Sequence, residues 1–439
     1  MLKPKQNQHS RKHCIFLRRL PNILLLSFAM TGNTASAQTY TVIHKFAGGS
    51  DGASPYAGLT MDAAGNFYGT TVTGGFQGSD DCRTDNGCGT VFKLSHRGTG
   101  WVLEPLYQFL SGSDGDGPLS RVVFGPDGAL YGTTQGGGGN GCSGGFGCGT
   151  VYRLTPPARS CGRVSCPWNE SIVHAFTGGT DGAIPLYGDL TLDAAGNMFG
   201  TTPLGGVHDQ GTLYKISRQD GNWIETVPYV FGGAAAQFPD TSVVFDGAGD
   251  ILGTAGGGVP YDNGLIYELQ PVQGGWRESS IFTFTIGNDG ARPGSGLIAD
   301  RFGNLFGTTT SEGPGTNGGT VYELTPSGSG WTLTTLTGIV GGSGGPHANL
   351  TMDVEGNLYG TTYGDGAYGY GSVFKLAPQQ DGSWVFTELY DFTGFDDGRW
   401  PEGSPVVDSN GNIWGTTSFG GDRTHCSHLG CGVIWEITP

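Results

Sequence analysis

Basic residues are scarce in this sequence: 22 Lys and Arg stand against 38 Asp and Glu in 439 residues, a formal net charge of −16. Binding to nucleic acid needs clustered cations that displace counterions from phosphate, so that class of function is set aside. Long apolar runs are scarce too. The one candidate, residues 23–30, is too short to span a bilayer as a permanent anchor. No stretch predicts a helix. There is no Gly-x-Ser-x-Gly elbow framed by strand and helix, and glycine runs such as 136–139 lack the Lys and the following helix of a phosphate loop. Cysteine pairs at two-residue spacing, the mark of a structural zinc site, are also missing.

Residues 1–37 hold Lys3, Lys5, Arg11, Lys12, Arg18 and Arg19, then the apolar run, then Ala35-Ser36-Ala37. This is the pattern of a secretory signal peptide, with cleavage expected before Gln38. Removing it takes away six positive charges and no negative ones, leaving sixteen basic residues against 38 acidic and a net charge of −22. Such a balance is ordinary for a secreted protein and names no partner by itself. The expectation is an exported protein, periplasmic, secreted or associated with the cell surface, with no membrane span in the mature chain.

What the chain has in abundance is repetition. A segment like Gly356-Asn357-Leu358-Tyr359-Gly360-Thr361-Thr362 recurs seven times, placing Tyr68, Tyr131, Phe199, Leu252, Phe306, Tyr359 and Trp414 before Gly-Thr at intervals of 63, 68, 53, 54, 53 and 55 residues. A period of this length is one supersecondary unit repeated. Each copy reads as a short leader strand, a tight turn and an anchor strand, which is a β-hairpin. A glycine-rich loop then leads to a third strand, as in residues 89–94. A fourth begins at Trp101, Trp168, Trp223, Trp276, Trp331 or Trp384, with Phe109, Phe176, Phe231, Phe284, Ile339 or Phe392 eight residues later. Even spacing predicts that each Trp shares a strand face with its partner.

Residues 39–46 match the fourth strand alone, and residues 432–439 are a third strand with no fourth after it. The first strand is therefore expected to complete the last unit. The fold class that follows is all-β: a seven-bladed β-propeller of four-stranded blades filling residues 38–439 as one domain, closed by the N-terminal strand.

Cys14 leaves with the signal, and the other eight cysteines fall into the close pairs Cys82/Cys88, Cys142/Cys148, Cys161/Cys166 and Cys426/Cys431. Even count, local spacing and export favour four short-loop disulfides over zinc. No metal or cofactor is expected. Two classes of loop share one face. The first carries Asp-Gly-x-x-Pro. Its Asp51, Asp116, Asp181, Asp289 and Asp397 suit turns, the rival role being a ring of cation ligands in the channel. The second class, between second and third strands, is longest in blades seven, one and two, and there it holds three of the cysteine pairs. Elaborated loops on a rigid scaffold are where binding concentrates. The candidate ligand patch is therefore Asp80, Asp81, Arg83, Asp85, Asp422, Arg423, His425 and His428, with Arg399 and Trp400 on the adjoining loop. The rival is a solvated polar rim.

No catalytic set stands out. His44 and His174 share a slot with Tyr107, Tyr229, Phe282 and Tyr390, where a flat ring packs, and His425 and His428 have no third ligand beside them. The motifs Gly-Asn-Leu-Tyr-Gly-Thr-Thr (356–362), Gly-Thr-Val-Phe-Lys-Leu (89–94) and Gly-Thr-Val-Tyr-Glu-Leu-Thr-Pro (319–326) resemble the GloVer tandem repeat of exported bacterial choice-of-anchor proteins. The resemblance covers nearly all of residues 39–439, with blade four departing at Gly253-Thr254-Ala255. It implies an exported repeat protein, commonly with a C-terminal sorting signal that is not evident after the closing strand here. It implies no activity. The hairpin is more distantly similar to those of NHL-type and streptogramin-lyase-like propellers, and fold likeness does not transfer chemistry. The leading expectation is a module that binds an extracellular carbohydrate or protein. The alternatives are a propeller lyase or hydrolase and a structural envelope protein.

Overall fold

A computed structural model describes residues 38–439, apart from 77–81, 83–86, 140, 143–144, 158–166, 233–235, 259–262, 315–316, 329, 341–343 and 427. The expected signal peptide lies outside the described residues. Seven antiparallel four-stranded blades follow one another along the chain, the fifth with an extra short strand, Ala291–Pro293, paired to its sheet, and the described residues contain no helix. In blade one the order is Thr60–Met61, Phe67–Thr71, Thr90–Arg97 and Gly100–Gln108. In blade seven it is Val406–Val407, Ile413–Thr417, Val433–Thr438 and then Thr39–Lys45 from the other end of the chain. The ring closes as the sequence predicts. Residues 38–439 form one compact unit.

Each part of the repeated motif has a physical task. The glycine of Gly-Thr lies directly across the sheet from a third-strand aromatic, Gly69 from Phe92, Gly307 from Tyr322 and Gly415 from Trp435. The ring lies over the glycine, and a Cβ there would strike it. Gly307→Ala is expected to cost about 1–3 kcal/mol by overpacking. Gly247→Ala, where a Cβ meets nothing, should stay within about 0.5 kcal/mol. Equal denaturant midpoints for the two variants would contradict this account.

The two threonines divide their work. The first reaches into the next blade: Thr70 Oγ1 donates to Ser120 O, Thr201 to Thr241 O, Thr254 to Ser295 O, Thr361 to Gly403 O, and Thr416 to Ala57 O across the closure. The second meets the hydroxyl that opens the third strand, as in Thr71 with Thr90 at 2.8 Å and Thr362 with Ser372 at 3.0 Å. These side chains are buried. Their hydrogen bonds satisfy groups that would otherwise be costly to bury.

One expectation is corrected. Trp101 and Phe109 sit on opposite faces of their strand. Trp101 packs on Trp414 of the preceding blade, while Phe109 packs on Tyr152 of the following one. Trp384 and Phe392 divide in the same way, onto Phe306 and Trp435. The cause is a β-bulge: Val91 and Phe92 pair with Tyr107 and Pro105, so Leu106 has no partner and the alternation flips. Bulges recur at Ile43, Val173, Ile281, Leu336 and Leu389. Each outermost strand thereby anchors two inter-blade cores instead of one.

The Asp-Gly turns are built by their carboxylates. Asp51 accepts from Ala47 N, Asp181 from Thr177 N and Asp397 from Thr393 N. In blade two this role falls to Asp114, which accepts from Leu110 N. Asp116, named from the sequence, is instead buried in a backbone bridge to Gly136. His44 and His174 point Nε2 at Asp51 and Asp181 (3.2 and 3.3 Å), as Tyr107 and Tyr390 point their hydroxyls at Asp114 and Asp397. The flat-ring slot is thus structural, and it supports the turn. Disulfides join Cys82 to Cys88, Cys142 to Cys148 and Cys426 to Cys431. Cys161 and Cys166 lie outside the described residues.

Candidate ligand site at the channel mouth

The first loop class brings the chain to the centre of the ring. A proline marks it in each blade, and two residues later, in five blades, the carbonyl is the one gripped by the preceding blade's threonine. With that residue clamped, its neighbours on either side turn into the channel. The position after the proline is Tyr56, Leu119, Asp240, Gly294, His347 or Glu402, and Tyr187 serves in blade three, which has one extra residue. All of these line a single cavity of about 390 Å³. Seven near-identical hairpins therefore present a set of side chains with no symmetry.

The floor is polar and satisfied. Arg121 donates from Nε to Asp189 Oδ2 at 2.7 Å and from its amide to Oδ1 at 2.8 Å. The Asp189 amide donates to Ser242 Oγ, and Asn349 joins Ser242 to the amide of Gly296. Five blades are tied together in this way beneath the cavity. Arg121 and Asp189 neutralise each other there and leave no net charge.

On the side of blades six, seven and one a run of rings borders the cavity, and its two end members, His347 and Tyr56, line it. Tyr363 and Phe419 follow the second strands Leu358–Thr362 and Ile413–Thr417. The His347 ring stacks on Tyr363 (centroids 5.1 Å apart, planes at 14°), and Tyr363 stacks on Trp400 (5.2 Å, 25°). Trp400 meets Phe419 edge-on at 5.3 Å, and Phe419 meets Tyr56 at 6.3 Å. The Arg399 guanidinium lies 4.0 Å from the Trp400 ring centroid and 4.9 Å from that of Tyr370, which holds the indole from behind. Five rings from three blades form an unbroken run.

Two carboxyls, Glu402 and Asp240, line the cavity. Burial pushes Glu402 up to about 7, against one hydrogen bond from Ser418 that opposes the shift. Burial pushes Asp240 up to about 6, with its own amide the sole group opposing it. The His347 ring is open to the cavity, yet protein surrounds it and burial lowers its pKa. Tyr56 and Tyr187 are pushed up first by burial and then by the Glu402 charge. Among the described residues His347 hydrogen-bonds neither carboxyl. Raised carboxyls alone do not mark the site, since Glu170 and Glu225 on outermost strands also rise to about 7. Sharing one cavity with each other and with the rings of Tyr56, Tyr187 and His347 does. A carboxyl whose folded pKa lies above its ordinary 4.5 binds more protons folded than unfolded, so its contribution to stability falls as pH climbs from about 4.5 to about 7. Glu402→Gln is therefore expected to gain stability relative to the native chain across that window. Parallel melting curves for the two would count against it.

The predicted patch divides. Asp80, Asp81, Arg83 and Asp85 lie outside the described residues. Trp400 and Arg399 belong to the run of rings that borders the cavity. Asp422 is held down to about 2 by bonds from Thr424 and His425. Arg423 donates to Gly394 O and lies over Phe395. His425 lines a second cavity of about 420 Å³, which shares Tyr56, Leu119 and Tyr187 with the first. His428 is exposed. The sequence reading missed Asp240, His347 and Glu402 because each comes from a different repeat. The usable signal was the variation just after each proline.

The model of the Gloeobacter/Verrucomicrobia repeat matches residues 28–255 and again 239–439. No curated protein matches the chain. Among solved structures, the extracellular domain of a candidate one-component system from B. thetaiotaomicron superposes with a TM-score of 0.52 at 11% identity, over 90% of this chain and 39% of that one. A candidate 6-phosphogluconolactonase from Bacteroides fragilis gives 0.48 at 15% identity, over 82% and 87% of the two chains. A candidate oxidoreductase (glucose dehydrogenase) from Thermus thermophilus gives 0.41 at 16%, over 91% and 100%. The first is a likeness of fold, and the other two carry nothing further.

Proposed function

The chain belongs to the Gloeobacter/Verrucomicrobia repeat family, and from that premise we propose that it is an exported propeller that binds a carbohydrate at the mouth of its channel. The face is the one bearing the long loops of blades seven, one and two. The observation that carries this reading is the run of rings from His347 through Tyr363, Trp400 and Phe419 to Tyr56. An aromatic shelf matches the apolar CH face of a pyranose, and the carboxyls and tyrosine hydroxyls beside it match the sugar's hydroxyls. Phe76, Phe146, Tyr187 and Phe395 stand exposed on loops of the same face, as suits a surface that meets a polymer. Export is supported by the composition of residues 1–37 and by the three disulfides.

A second reading, a lyase or hydrolase, draws on Glu402 and Asp240, two carboxyls raised toward neutrality in one cavity. It is the weaker, since among the described residues Glu402 is held only by the Ser418 hydroxyl and Asp240 by no side chain, and no nucleophile is paired with either. A glycan array probed with the purified protein, with and without calcium, tests the proposal. Specific capture is expected. A blank array in both conditions would end the carbohydrate reading, and turnover of an oligosaccharide would replace it with the enzymatic one.

A further inference from the structure

The cavity's charge is unbalanced in a way that a neutral sugar would leave unmet. Glu402 and Asp240 both line it. The Asp240 carboxylate has no side-chain partner among the described residues, and Glu402 has the Ser418 hydroxyl alone. The cations nearby are engaged or out of reach. Arg121 is paired with Asp189 in the floor. Arg399 is held behind Trp400. Arg292 lines the cavity from blade five and forms no ion pair with either carboxyl among the described residues. Burial lowers the His347 pKa and disfavours its charged form. Around the carboxyls stand the rings of Tyr56, Tyr187 and Tyr363, each within electrostatic reach of Glu402. Aromatic faces and carboxylates together are complementary to one class of group, a positive charge carried on an organic body. A chain this acidic also draws cations toward it.

We propose that the channel cavity, which Glu402 and Asp240 both line, takes an ammonium group, that of an amino sugar, against the Glu402 carboxylate and the tyrosine rings around it. The inference rests on the reading of the channel mouth as a carbohydrate site and names the sugar class. Seating the ammonium expels the proton from Glu402, so binding releases a proton and tightens as pH rises through the carboxyl's value of about 7. A sugar bearing only hydroxyls would bind the protonated or ionised carboxyl about equally.

The test is calorimetry on the purified protein with a glucosamine oligomer, its N-acetylated counterpart, and choline, whose charge does not titrate. The amine oligomer should bind at least about tenfold tighter than the acetylated one near neutral pH. Choline should gain about tenfold between about pH 6 and about pH 8, one unit either side of Glu402. Glu402→Gln should cut that gain to about twofold or less, the remainder coming from Asp240 with its value of about 6, and Asp240→Asn should weaken the amine oligomer while leaving the melting transition in place. If the acetylated oligomer binds as well as the amine and choline does not bind, the ammonium proposal falls and the carbohydrate reading survives. Choline binding with neither oligomer bound would support the ammonium site and end the carbohydrate reading. No binding by any of the three would overturn both.

Discussion

Trp400→Ala is expected to cut glycan affinity by roughly 30- to 1,000-fold, the range of a central aromatic anchor whose removal costs about 2–4 kcal/mol. The indole is the middle member of the run of rings and touches both neighbours. Its removal therefore also leaves Tyr363 and Phe419 unsupported. The backbone supplies a control. Trp400 has φ 55°, in the left-handed region, and it precedes Pro401. Both features are unfavourable for an L side chain. Ser54, Ile184, Phe238 and Arg292 occupy the same position with φ of 57°, whereas blade two has Gly117 there at 66°. A glycine would relieve the strain, so a tryptophan is retained at a cost. Trp400→Gly should lose binding as fully as Trp400→Ala while folding about 1 kcal/mol more stably than the alanine variant. Retained binding in either variant would move the site away from the rim.

Much of the scaffold was legible because it repeats. Gly-Thr-Thr, the fourth-strand Trp and the turn aspartates recur with a fixed period, and each recurrence confirms the others. The strand-face assignment of Trp101 and Phe109 failed for a local reason. A bulge adds one residue to the alternation, and nothing in Leu106 or its equivalents differs from an ordinary aliphatic strand residue. The site was hidden for the opposite reason. Asp240, His347 and Glu402 are individually ordinary, separated by 107 and 55 positions in the chain, and they meet because the ring brings equivalent positions of different blades together. The candidate site lies in the departures from the repeat, and a search for recurrence discards them. Trp400 and Arg399 entered the sequence reading because their loop borders the long loops of blade seven, and not because the channel itself had been recognised.

The closure of the ring is where the fold should be most sensitive. Six blades have all their strands joined by continuous chain, but in blade seven the strand Thr39–Lys45 is held to Val433–Thr438 by pairing alone. Phe46 follows that strand, fully buried, and packs on Phe92 of blade one with centroids 5.4 Å apart. Tyr40, at the strand's other end, stacks on Tyr390 of blade six at 3.8 Å. Phe46→Ala is expected to cost about 3–5 kcal/mol, the usual penalty for emptying a buried aromatic site. Phe231→Ala, the equivalent change between blades three and four, should cost a similar amount globally. The two should differ in where the loss appears. At Phe231 covalent connections flank the cavity and the strands cannot separate, whereas at Phe46 the closing strand can leave by itself. Hydrogen exchange in Phe46→Ala should therefore accelerate first in residues 39–45 and 433–438, with the other blades still protected, as a locally unfolding unit. If exchange rises uniformly around the ring in both variants, the closing strand is no weaker than the covalently joined blades. The threonine stitch from Thr416 to Ala57 and the ring packing at Tyr40 would then suffice to hold the two ends together.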